Sequence, residues 1–216
     1  MGTIQQKKLL NISEIVFITV LSAVMGVIWW FYTFFYDITA PLLKPFMLDN
    51  LLTGVWFMGA VFFPYIVRKP GAAILGELIA AVVQGFIARW GISSIAYGLV
   101  QGVPVELFFL ILGYRRWNLP VLMIAGVISA LGSYILSFFW YGYSQLTLQY
   151  NIVQIVSFAI SGAVLAGVFS KYLADGLKKT GVLNQFKIIR DNFKDNLDKE
   201  VNDKEVNLKS GKNIDE

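Results

Sequence analysis

Six stretches of this chain, roughly 12–35, 50–67, 71–90, 94–113, 119–140 and 150–173, are each about 20 residues long and almost free of charge. About 20 apolar residues in a helix cross a hydrocarbon layer about 30 Å thick, and inside such a layer only helices and closed barrels satisfy their own backbone groups. The rest of the composition agrees: 56% of the 216 residues are hydrophobic, 15% are charged and the mean hydropathy is +0.62. The sequence therefore predicts an all-α integral membrane protein: an N-terminal segment 1–11, six transmembrane helices within 12–174, and a polar tail 175–216. The first apolar run is too long for a signal-peptide core and is read as a retained helix.

Charge sorts the connections into two sets. Lys7, Lys8, Arg68, Lys69, Arg115, Arg116 and the tail from Lys171 fall on one side, and Asp37, Lys44, Asp49, Arg89 and the uncharged 141–149 connection on the other. The positive-inside rule then puts both termini in the cytoplasm. The first 174 residues carry nine basic and five acidic side chains, an excess confined to short loops, so it reports topology rather than a nucleic-acid surface. With no cysteine and no histidine, disulfides, thiolate chemistry, imidazole ligation of a metal and a Ser-His-Asp mechanism are excluded. The first connection, YDITAPLLKPFMLDN at 36–50, reads as an ordered external loop, either a lid or an interfacial anchor. In the tail an amphipathic helix is expected over 182–193, with disorder beyond it.

Two carboxylates lie inside predicted helices. A charge in the bilayer costs about 2.5 kcal/mol or more, and no basic residue lies at the depth of Glu77 or Glu106 in any of the six helices. Counted from Lys69 and Arg115 at 1.5 Å per residue, both sit at a similar depth, with Gln84 and Gln101 forming a second polar layer further out. Ala73, Glu77, Ala80, Ala81 and Gln84 share one stripe of the third helix, and Gly98, Gly102 and Glu106 one stripe of the fourth. Each glutamate thus faces a surface of small residues, which suits either a ligand pocket or tight packing. Two such carboxylates call for a cationic or donor-rich ligand. Trp56, Tyr97 and Trp140, near the glutamine layer, are candidates for stacking on a flat ring. On the first helix Thr19-xxx-Ala23 and Ser22-xxx-Gly26 are small-xxx-small patterns that fit a contact within the chain or with another membrane subunit.

The runs GVWFMGAVFFPYIVRKPGAAILGELIAA and QGVPVELFFLILGYRRW, with six helices and both ends inside, resemble the YkoE family of substrate-binding S-components of energy-coupling factor (ECF) vitamin importers. The resemblance implies capture of thiamine or its hydroxymethylpyrimidine precursor from outside, as cargo rather than cofactor. It also implies a separate T-component and two ATPase subunits, since the chain has no phosphate-binding GxxxxGK[ST] loop. On that reading Glu77 and Glu106 meet the charge and amino group, Gln84 and Gln101 the ring nitrogens, and Trp56, Tyr97 and Trp140 the ring faces. Two other readings stay open: a secondary transporter or channel with the two glutamates as a proton or cation relay, and an intramembrane enzyme using them as an acid/base pair.

Overall fold

The computed structural model describes residues 9–184 and Phe186. Within them the chain makes six helical passes, five in helices long and apolar enough to cross a membrane and one in the shorter Ala72–Ile87.

The first pass, α1 (Ile12–Leu43), starts in a capping box: Asn11 Oδ1 accepts from the Glu14 amide at 2.8 Å and Glu14 Oε2 accepts from the Asn11 amide at 2.9 Å. At 32 residues it spans about 48 Å, more than a hydrocarbon core of about 30 Å. This corrects the expected boundary. Residues 36–43, assigned to an external loop, continue the helix, because Pro41 sits in its last turn and removes only one hydrogen bond there. The chain reverses through a 3-10 turn at Lys44–Phe46 and Met47, which is left-handed at φ 60°.

The second pass begins as a 3-10 helix, Asp49–Phe57, and relaxes into α2 (Met58–Val67). Every residue of α2 is buried, so the other helices pack around it. After the turn containing Arg68 and Gly71 (φ 56° and 93°) come α3 (Ala72–Ile87) and α4 (Ser93–Ile111). Asn118 caps α5 (Leu119–Trp140), whose end leads through a 3-10 turn at Tyr143–Gln145 to α6 (Leu148–Ser161). A π-helical stretch, Gly162–Val168, joins α6 to α7 (Phe169–Lys179), so the sixth pass runs past the expected limit at 174. The amphipathic helix expected at 182–193 lies for its greater part outside the described residues, and 181–184 form a turn.

Small residues set the helix spacing. A Cβ on Gly26 of α1 would stand 2.5 Å from the Ala80 carbonyl of α3, and one on Gly98 of α4 would stand 2.8 Å from the Ala81 Cβ. Ser22 and Gly26 thus belong to the α1–α3 seam, while Thr19 is exposed among Ile15, Val16, Val20 and Val24, with Ala23 half-buried at the edge. The two small-xxx-small patterns therefore part company: the one with Ser22 and Gly26 closes this chain on itself, and the one with Thr19 and Ala23 faces outward.

Candidate functional site

A 3-10 helix has three residues per turn, so side chains three apart eclipse one another. Across Asp49–Phe57 that winding stacks Asn50, Thr53 and Trp56 in one line, and all three face a cavity of about 450 Å³. In an α-helix the same three would drift around the axis. The cavity lies at the end of the bundle away from Arg68, Lys69, Arg115 and Arg116, and its volume is that of a site for a small organic molecule.

Neighbouring elements hold the 3-10 helix in place. Ser161 Oγ accepts from the Gly54 amide and donates to the Leu51 carbonyl, each at 2.7 Å. Asn50 donates to Gln154, which in turn donates to the Met47 carbonyl at 3.3 Å. Asn151 clamps the 141–147 connection through the carbonyls of Tyr143, Leu146 and Thr147, and the Tyr134 hydroxyl donates to its Oδ1 at 2.8 Å. That connection brings Tyr141 and Tyr143 to the cavity. At the mouth, Arg89 Nη1 donates to Asp37 Oδ2 at 2.6 Å, tying the α3–α4 connection, with Trp90 on the cavity wall, to the end of α1.

The wall is aromatic and the floor polar. Tyr32 and Tyr36 lie edge-on to Trp56 at 5.2 and 5.1 Å, and opposite them Tyr97 stacks on Tyr141 at 6.4 Å. Burial pushes the Tyr143 hydroxyl up to about 12, although the hydrogen bond from Asn50 pulls the other way, so it is neutral at physiological pH. On the floor the Gln101 amide is fully satisfied in one orientation: its nitrogen donates to Glu77 Oε1 at 2.6 Å and to the Trp56 carbonyl at 3.2 Å, and its oxygen accepts from Ser133 Oγ at 2.8 Å. Glu77 Oε2 accepts from the Ala60 amide at 2.6 Å.

Of the seven residues expected to bind ligand, Trp56, Tyr97, Gln84 and Gln101 line the cavity. Gln84 also donates to Thr33 Oγ1 at 3.3 Å. Glu77 is absent from the lining: it is fully buried beneath the floor and meets the cavity only through Gln101. Glu106 is elsewhere. Its Oε1 accepts from the Gly71 amide at 2.7 Å and from the Tyr114 hydroxyl, and its Oε2 from the Ala73 amide at 3.0 Å. It therefore caps α3, whose N-cap glycine has no side chain to do so. The equal depths expected for the glutamates do not hold, because α4 ends at Ile111 and the chain turns before Arg115, which makes that arginine a poor depth marker. Trp140, the last residue of α5, is 55% exposed and lies off the cavity.

Sequence reasoning passed over Trp29, Asp49, Asn50, Thr53, Ser133, Ser137 and the three tyrosines at 141, 143 and 150. One signal was available: Ser129, Ser133 and Ser137 recur every four residues along α5, a polar stripe on an otherwise apolar helix. Ser133 and Ser137 reach the cavity, and Ser137 shares a hydrogen bond of 2.8 Å with the Tyr97 hydroxyl.

Residues 13–132 match the family described as "ABC-type cobalt transport system, permease component". A Bacillus subtilis (strain 168) protein described as a putative HMP/thiamine permease, YkoE, is 38% identical over 175 residues, which is 81% of this chain and 87% of that protein. A solved structure described as an S-component of an ECF transporter superposes with a TM-score of 0.78 at 34% identity, covering 95% of this chain and all of the other.

Proposed function

This chain belongs to the YkoE family of ECF transporter S-components, and from that premise we propose that it captures thiamine or hydroxymethylpyrimidine at its outer face for ATP-driven uptake. It is the substrate-binding membrane subunit of such an importer; on this proposal a T-component and two ATPase subunits supply the rest, and both termini face the cytoplasm. The observation that carries the reading is the cavity itself, roomy enough for one small organic molecule, with aromatic faces for a flat ring and amide and hydroxyl groups on its floor. An aminopyrimidine offers an amino donor and ring-nitrogen acceptors to such a floor, and the thiazolium ring of thiamine adds a positive charge that aromatic faces attract.

Although the family description mentions cobalt, the donor set favours an organic cargo. The chain has no histidine or cysteine, the nitrogen and sulfur ligands that hold late first-row metals, and among the described residues the cavity is lined by rings, amides and hydroxyls with one carboxylate, Asp49, and one ammonium, Lys44. The relay reading loses its geometry, because Glu77 and Glu106 lie on separate hydrogen-bond networks.

Calorimetric titration of the purified full chain with thiamine and with hydroxymethylpyrimidine tests the proposal. Saturable binding of at least one, weakened by Trp56→Ala, is the expected result. Binding of neither compound overturns the cargo assignment.

A further inference from the structure

Burying a polar group without a partner costs free energy, and burying an unpaired charge costs more. Asp49 presents that problem at the cavity. It is only 7% exposed, it lines the cavity, and its Oδ1 has no hydrogen-bond partner. Lys44 lines the same cavity, but among the described residues no cation stands in ion-pair range of Asp49. The other acidic groups of the membrane domain are all engaged: Glu14 with Lys69, Asp37 with Arg89, Glu77 with the Ala60 amide, and Glu106 with the start of α3.

The surroundings of Asp49 are those of a cation site. It is the first residue of the 3-10 helix, and Gln154 holds the residues on either side of it through Asn50 and the Met47 carbonyl. Tyr36, Tyr143 and Tyr150 line the same cavity as Asp49. The Tyr143 and Tyr150 rings meet edge to face at 5.7 Å. Aromatic faces around one carboxylate stabilise an organic cation twice, through ring quadrupoles and through direct charge pairing.

We propose that Asp49, walled by Tyr36, Tyr143 and Tyr150, is the counter-ion of the cavity and makes it select a cargo carrying a delocalised positive charge. This rests on the cargo reading above and deepens it: the floor at Gln84, Gln101 and Ser133 takes the neutral, hydrogen-bonding part of the ligand, and the Asp49 end takes the charged ring. Asp49 is then a specificity-determining residue, and thiamine, rather than the uncharged pyrimidine alone, fills both ends.

The test compares thiamine with its neutral isostere, in which carbon replaces the charged ring nitrogen, by calorimetry on the purified full chain. Wild type is expected to prefer thiamine at least tenfold. Asp49→Asn should reduce that preference to near unity by weakening thiamine alone, and Asp49→Glu should restore part of it. Undiminished binding of the isostere by Asp49→Asn shows that the variant is folded. A preference that survives in Asp49→Asn, an equal loss for both compounds, or the absence of a preference in wild type each overturns the proposal. If wild type binds neither compound, the cargo reading has failed separately; titration with N-methylated thiazolium then decides, and no Asp49-dependent binding of that cation overturns the subsite as well.

Discussion

Replacing Glu77 by glutamine changes one atom at a position with no contact to the cavity, yet it should alter the ligand site. In the wild-type chain of bonds, Glu77 Oε1 accepts from Gln101, and Gln101 accepts from Ser133. The Ser133 proton is thereby committed inward, which leaves its lone pairs to accept a donor from the cavity. A glutamine at position 77 must keep its oxygen toward the Ala60 amide, 2.6 Å away in the wild type, so its NH2 group confronts the NH2 group of Gln101. Gln101 then inverts and donates to Ser133, occupying one of its two acceptor lone pairs and turning its proton toward the floor, where it opposes a donor from the ligand. One ligand hydrogen bond is lost, about 0.5–1.5 kcal/mol or roughly 2- to 13-fold in affinity for an amino-bearing ligand. The assay is thiamine titration of Glu77→Gln, Ser133→Ala and the double variant. If the relay operates, the Glu77 substitution has little further effect once Ser133 is gone. Additive losses in the double variant refute the relay and leave Glu77 as a packing residue.

Three further outcomes follow from the geometry. Glu106→Ala removes the side-chain acceptor of the Gly71 and Ala73 amides at the start of α3, so it should lower stability by about 1–3 kcal/mol, seen as a lower melting temperature in detergent, while the folded fraction binds ligand normally; lost binding at unchanged stability would return Glu106 to the site. Thr19→Trp adds bulk to the outward face of α1 and should spare ligand binding while reducing ATP-driven uptake in a reconstituted transporter; unimpaired uptake would free that face of any partner. Arg89→Ala removes the tie to Asp37 at the mouth and, for a largely exposed pair worth up to about 1 kcal/mol, should speed ligand dissociation by up to about fivefold in stopped-flow fluorescence; an unchanged rate would make the tie incidental.

The passes were legible because each is a long run of apolar residues, a signal that needs no tertiary information. Their ends were less so. Pro41 suggested a break but falls in the last turn of α1, where the helix tolerates it, and the 3-10 winding at Asp49–Phe57 depends on partners more than 100 residues away, Gln154 and Ser161. Gln84, Gln101, Trp56 and Tyr97 could be picked out because polar and aromatic groups stand out on apolar helices. Asp49 could not, since a carboxylate in a connecting segment looks solvated until the reversal at Met47 carries it inside.

Three carboxylates of this domain thus have three fates, decided by their neighbours and not by their depth. Glu106 meets the amides at the start of a helix, Glu77 meets one amide and a glutamine, and Asp49 meets rings. Only Asp49 keeps an oxygen without a partner, beside two cavity tryptophans, Trp29 and Trp56, whose indole N–H groups are likewise unpaired. Buried charge alone therefore does not mark a site in this bundle, since here it also caps a helix and braces a floor.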